Sequence, residues 1–134
     1  MLRGVHHVAV ICGDYAVSKA FYTDVLGLAV LAEHYRAERD SWKLDLALPD
    51  GGRIELFSFP EAPPRSSWPE ARGLRHLAFS VDDVVAARTW LMARGVEVEA
   101  VRIDPHTGRQ FAFFADPDGL PLELYAVPRT PIET

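Results

Sequence analysis

The sequence predicts an α+β fold of two tandem modules, each a strand, a helix and three further strands. Three observations carry that prediction. A short phrase occurs twice, PDGGRIELF at 49–57 and PDGLPLELY at 117–125, with five of nine positions identical. The repeat is also wider than the phrase. HVAVICGDYAVSKAFYTDVLGL begins at His7 and HLAFSVDDVVAARTWLMARGVEV at His76, and Gly27 and Gly95 stand 68 positions apart, as the two phrases do. Finally, both copies run in one order: apolar strand, Asp-marked start, helical stretch, glycine, then three strand candidates with PDG before the last.

Each element follows from its pattern. Residues 5–11 alternate as a strand, with Val8 and Val10 on one face and His7 and Ala9 on the other. Asp14 is the expected N-cap of a helix over roughly 15–26, ended by Gly27. Strands are expected near 29–35, 42–48 and 53–59. In the second copy Leu77, Phe79 and Val81 share a face opposite His76, Ala78 and Ser80. Asp82 or Asp83 caps a helix over roughly 83–94, closed by Gly95, and strands follow near 96–103, 109–115 and 121–127. PDG is a turn with a mechanism, because proline presets φ and Asp-Gly tolerates the turn. The first module spans 4–59 and the second 73–127, within a single domain over 1–134. The Pro-rich stretch in 60–72 reads as a linker, and the tail PRTPIET looks loose. One helix covers one face of a four-stranded sheet, so the other face is left to curve around something.

That other face carries the chemistry. In IELF, Ile54 and Leu56 oppose Glu55 and Phe57; in LELY, Leu122 and Leu124 oppose Glu123 and Tyr125. The apolar sets suit the helix-covered face, which leaves His7, Glu55, His76 and Glu123 on the opposite one. A pseudo-twofold between modules would bring two histidines and two glutamates toward one axis. Ala9, Ala78 and Ser80 leave room beside the histidines. Two imidazoles and two carboxylates suit one divalent ion per site: Ni, Zn, Co, Mn or Fe, with Ni or Zn favoured. Water on such an ion becomes more acidic, and a ligand carboxylate can also shuttle a proton. Taken singly, a strand histidine is more often structural, and a glutamate after a turn is usually solvated. A turn explains PDG twice; it does not explain an interior glutamate between apolar residues twice, each preceded by a matching histidine.

Other features weigh less. His6 shares the apolar parity of Val8 and is expected to be wedged at a strand edge, while His34 and His106 read as surface. Cys12 reads as a small buried residue without a partnering base, and as the lone cysteine it excludes an internal disulfide. FAFF at 111–114 reads as core and pocket wall. Lys43 and Asp45 either line the open face or are solvated. The net charge of −5, with the two signs interspersed, points away from nucleic acid and anionic membranes. The N-terminus is too quickly polar for a signal peptide, and no run reaches the roughly 18 apolar residues of a span, so a reducing cytoplasm is the expected location.

His7 in HHVAV, Glu55 in RIELF, His76 in RHLAFSV and Glu123 in DPDGLPLELY resemble the metal ligands of the vicinal oxygen chelate (VOC) superfamily. Within it the likeness is to glyoxalase I and to small bacterial relatives of the YaeR type, through DYAVSKAFY, IELFSFP and GLRHLAFSVDD. The resemblance covers residues 4–126. It implies modules paired edge to edge into an open, U-shaped β-barrel around the metal. It implies a homodimer, because many small members build each site from one module of each chain. It also implies chemistry: a substrate with adjacent oxygens binds the metal, loses a proton to a glutamate ligand and regains it one carbon along. Glu123 is the first candidate base and Glu55 its counterpart. Lactoylglutathione lyases carry an arginine four residues after the first histidine ligand and an asparagine four after the first glutamate ligand. Ile11 and Phe59 stand there instead, which argues against glutathione as the thiol.

Three functions are open at this point. One is a glyoxalase I-type lyase or isomerase acting on a hemithioacetal or a related small oxygenated substrate. Another is a different metal enzyme of the same fold: a thiol transferase, an epimerase or a dioxygenase. Dioxygenases favour two His and one Glu with iron, which argues modestly against that last option. The remaining function is a binding protein that sequesters a drug or metabolite without chemistry.

Overall fold

The computed structural model describes residues 1–129, and the end of the tail, residues 130–134, lies outside them. Contacts between backbone segments divide the chain into two compact units, Met1–Arg65 and Ser66–Thr134. Residues 59–76, which include the unit boundary, carry no helix or strand.

The first unit contains β1 (His7–Cys12), α1 (Tyr15–Ala20), β2 (Ala29–Arg36), β3 (Ser41–Ala47) and β4 (Arg53–Ser58). Its sheet has the order β1-β4-β3-β2, with β1 parallel to β4 and the other pairs antiparallel. The Asp14 carboxylate accepts from the Val17 amide at 3.2 Å and so caps α1. The helical path then widens into a π turn over Phe21–Val25, where the Leu26 amide reaches the Phe21 carbonyl at 2.9 Å. Ser18, Phe21 and Tyr22 are thereby buried against the sheet's apolar face. That face supplies Val10, Cys12, Leu44, Leu46, Ile54 and Leu56, all buried. They are the alternate positions that the period of two assigns to one side of each strand.

The second unit repeats the plan with β5 (Leu77–Val81), α2 (Val84–Met92), β6 (Arg102–Ile103), β7 (Gln110–Ala115) and β8 (Pro121–Ala126), in the sheet order β5-β8-β7-β6. Of the two candidate caps it is Asp83 that accepts, from the Ala86 amide at 3.0 Å. α2 packs on β7 and β8, burying Val84 and Leu91 with Ala112, Phe114, Leu122 and Leu124.

The strand expected over 96–103 shrinks to Arg102–Ile103. Side chains have taken over the ladder there. The Glu99 carboxylate accepts from the Phe113 amide at 2.9 Å, and Arg88 donates to the carbonyls of Val98 and Glu99. One backbone bond remains, from the Glu99 amide to the Phe113 carbonyl at 3.1 Å. His6 also departs from expectation. It precedes β1 and is exposed, since residues before His7 have no sheet partner to wedge against.

The two PDG turns share their backbone bonding. The Gly51 amide reaches the Leu48 carbonyl and the Gly119 amide the Asp116 carbonyl, both at 3.0 Å. Both glycines lie in the left-handed region, with φ of 93° and 80°, which is why the third turn residue is glycine in each copy. Each turn starts the strand that carries a glutamate, and register fixes that glutamate's neighbours. Glu55 stands between Ala9 and Asp45, and Glu123 between Ala78 and Phe113.

Candidate metal centre

Each unit brings one histidine to one glutamate on the face away from its helix. In the first, His7 Nε2 lies 3.4 Å from Glu55 Oε2; in the second, His76 Nε2 lies 3.6 Å from Glu123 Oε2. The pairs share a local cause. β1 runs parallel to β4 and β5 parallel to β8, and each histidine sits two residues before the alanine that faces the glutamate. Ala9, Ala78 and Ser80 are exposed, which leaves the histidines uncrowded. Among the described residues, no group of three or more His, Cys, Asp or Glu side chains gathers within reach of one ion. The structure thus supplies two half-sets of two.

Both half-sets fit a divalent ion. Ligand atoms about 2.1 Å from a metal, at octahedral to tetrahedral angles, stand about 3.0 to 3.4 Å apart. Separations of 3.4 and 3.6 Å are close to that, and long for a direct N–H···O bond. Glu123 is 8% exposed, and its carboxylate accepts no hydrogen bond among the described residues. The carboxylate keeps some contact with solvent, and a cation beside Nε2 of His76 would offset the rest of its desolvation. His76 Nδ1 is buried without a partner, and the ring stands edge-on to Phe113 with centroids 5.0 Å apart.

The half-sets differ in their surroundings. Glu55 Oε1 lies 3.5 Å from Lys43 Nζ, which in turn holds Asp45 at 2.6 Å. The hydrogen bond to Asp45 raises the Lys43 ammonium above its ordinary value. His7 Nδ1 is 2.9 Å from His6 Nδ1. With His7 as donor there, its Nε2 presents a lone pair toward Glu55. Around Glu123 the neighbours are aromatic: Phe111 lies edge-on to Phe113 and stacks on Tyr125. The Tyr125 hydroxyl donates to Asp104 at 2.9 Å, and Thr107 Oγ1 lies 2.6 Å from it. The His106 backbone amide, then this phenol, hold the Asp104 carboxyl below the usual carboxylate range.

The remaining sequence candidates fall as follows. His34 and His106 are exposed, as read from sequence, and Cys12 is buried. Lys43 and Asp45 are partly buried and paired. In FAFF, Ala112 and Phe114 join the core, while Phe111 and Phe113 stay on the glutamate face. Sequence reading passed over Arg36, whose guanidinium lies over Phe57. A register shift in β2 between Val30 and Ala32 breaks the alternation counted from Ala29, and this shift brings Arg36, opposite Ser41, to the face of Glu55.

Paired βαβββ units, each presenting a histidine and a glutamate on its open face, define a class, and the sequence comparison agrees. Residues 4–124 match the family profile described as Glyoxalase/Bleomycin resistance protein/Dioxygenase superfamily, and the chain belongs to that superfamily. Its members generally use a divalent metal and bind small molecules. The chain is 61% identical over 124 residues to the uncharacterized protein YaeR of Escherichia coli, covering 92% of this chain and 96% of that protein. It is 32% identical to a 2-epi-5-epi-valiolone epimerase of an Actinomyces species, over 92% of this chain and 79% of that one. Among solved structures, a glyoxalase family protein from Enterococcus faecalis is 45% identical with a TM-score of 0.86, covering 92% and 97% of the two chains. TnmS3, an antibiotic binding protein from a Streptomyces species, is 30% identical with a TM-score of 0.72, covering 96% and 98%. No helix among the described residues is long and apolar enough to cross a membrane.

Proposed function

We propose that this protein is a metal-dependent enzyme of the glyoxalase I type. It isomerises a hemithioacetal-like or related small oxygenated substrate by moving a proton between adjacent carbons. His7, Glu55, His76 and Glu123 are the metal ligands, and Glu123 is the base. The observation that carries the reading is Glu123 itself: a nearly buried carboxylate with no hydrogen bond among the described residues and an imidazole nitrogen 3.6 Å away. A divalent ion bound there would polarise the substrate's adjacent oxygens and offset the negative charge that develops on them.

The chain's own groups do the rest. Glu123 takes the proton from the hydroxyl-bearing carbon and returns it to the neighbouring carbonyl carbon, while the hydroxyl proton passes to the former carbonyl oxygen, so atoms and electrons balance without a redox partner. Glu55 is less suited to that work, because Lys43 tethers its second oxygen. The aromatic side chains beside Glu123 give the carboxylate an apolar setting while it holds the proton. Likeness to an epimerase, whose name denotes inversion at a carbon centre, supports proton transfer as the reaction class.

A second reading, capture of a small molecule without chemistry, is favoured by the likeness to an antibiotic binding protein. Elemental analysis of gently purified protein, with Glu123→Ala alongside, separates the two. About one divalent ion per chain, lost in the variant, supports the enzyme. No metal after reconstitution with nickel, zinc, cobalt or manganese overturns it in favour of the binder.

A further inference from the structure

Arg36 stands apart from the two lysines of its unit. Lys19 is held by Glu33 and Lys43 by Asp45, at 2.7 and 2.6 Å. Arg36 lies within ion-pair distance of no carboxylate among the described residues, although it is only partly exposed. A guanidinium has five N–H donors. Here Nη2 donates to Ser41 at 2.9 Å, and Nε is buried with no partner. The group is nevertheless held in place. Its central carbon is 5.0 Å from the Phe57 ring centroid and 5.7 Å from that of Phe59, and those two rings stack. A stacked arginine short of acceptors is preorganised for a planar oxyanion.

Its position is defined relative to Glu55. Phe57 is two residues along β4 on the same face as Glu55, hence about 7 Å away along the strand. An acceptor on Arg36 would therefore lie a few bonds from whatever meets the carboxylate.

We propose that Arg36, seated on Phe57 and Phe59, is a specificity position that binds a carboxylate carried by the substrate several bonds from its reacting oxygens. The identity of the substrate rests on the function proposed above; the carboxylate site does not. Arg39, 4.9 Å over Phe59, adds positive charge nearby without being the primary contact.

The test uses zinc-loaded protein and three probes: acetohydroxamate, succinate monohydroxamate and succinate. The first two share one chelating head and differ in the tail carboxylate. Affinities come from calorimetry, and the arginine Nε–H resonance lost in Arg36→Lys reports on this guanidinium directly. Succinate monohydroxamate should bind at least about tenfold more tightly than acetohydroxamate and shift that resonance. Arg36→Gln should erase the advantage and leave acetohydroxamate affinity unchanged, with an unchanged melting temperature excluding misfolding. Equal affinities for the two hydroxamates, or an advantage that survives Arg36→Gln, overturns the proposal. If acetohydroxamate fails to bind, the metal-enzyme reading fails. Succinate then decides the Arg36 site alone: a shifted resonance supports it and an unmoved one refutes it.

Discussion

Glu123 and Glu55 occupy equivalent places and experience unlike surroundings, so they should respond differently to substitution. Glu123→Gln keeps the shape and removes the charge. It should lower metal affinity at least about tenfold, read by competition with a chelator, while leaving the far-ultraviolet spectrum intact. Removing the Lys43 tether should be gentler, with Lys43→Met retaining bound metal. On the helix-covered face of the first unit, Glu33 accepts from Lys19 and from the Tyr15 hydroxyl. The Lys19 bond, then the Tyr15 bond, lower the Glu33 value, while burial and that same bond raise the Tyr15 phenol. A depressed carboxylate stabilises the fold above its unfolded value, and that contribution disappears as pH falls through the lower folded value. Glu33→Gln should therefore melt lower than the parent at neutral pH, and the gap should close as the pH falls below the ordinary glutamate range. At this scale the two histidines and two glutamates were legible because the repeat marked them twice. Arg36 was not, because the position 68 residues on is Asp104 and Arg36 sits beyond a shift in strand register.

Strands, helices and turns were legible wherever backbone bonding alone decides them. The cap at Asp14 and the two PDG turns are local chemistry and form as read, and Asp83 is the one of two candidate caps that forms. Asp83→Ala should cost about 1 kcal/mol in urea unfolding. Gly119→Ala is a cleaner probe. A Cβ there meets nothing within 4 Å, so the whole penalty is the left-handed backbone at φ 80°. It should cost about 1 to 2 kcal/mol. Residues 96–101 escaped the reading because Glu99 and Arg88 replace backbone partners, and side-chain reach across a sheet leaves no periodicity to find. The π turn at Phe21–Val25 was hidden for a similar reason, since a widened turn preserves the apolar spacing of a helix.

For the molecule as a whole, the order of elements was fully written in the repeat, and both sheets have the same topology. What the repeat leaves open is whether the two half-sets serve one ion. Under the proposed function they do, so His7→Ala and His76→Ala should each reduce metal content to the same low level, and the double variant should be no worse. Two ions per chain with independent losses would refute the shared ion. Metal should also raise the melting temperature in a concentration-dependent way, and a chelator should reverse the rise.

The unlike neighbours of the two glutamates, Asp45 beside one and Phe113 beside the other, bear on stereochemistry. Under the proposed function, the tethered, charged flank at Glu55 and the aromatic one at Glu123 would leave Glu123 alone to deliver the proton, to one side of a planar carbon. Turnover in deuterium oxide should then place a single deuteron in a single configuration.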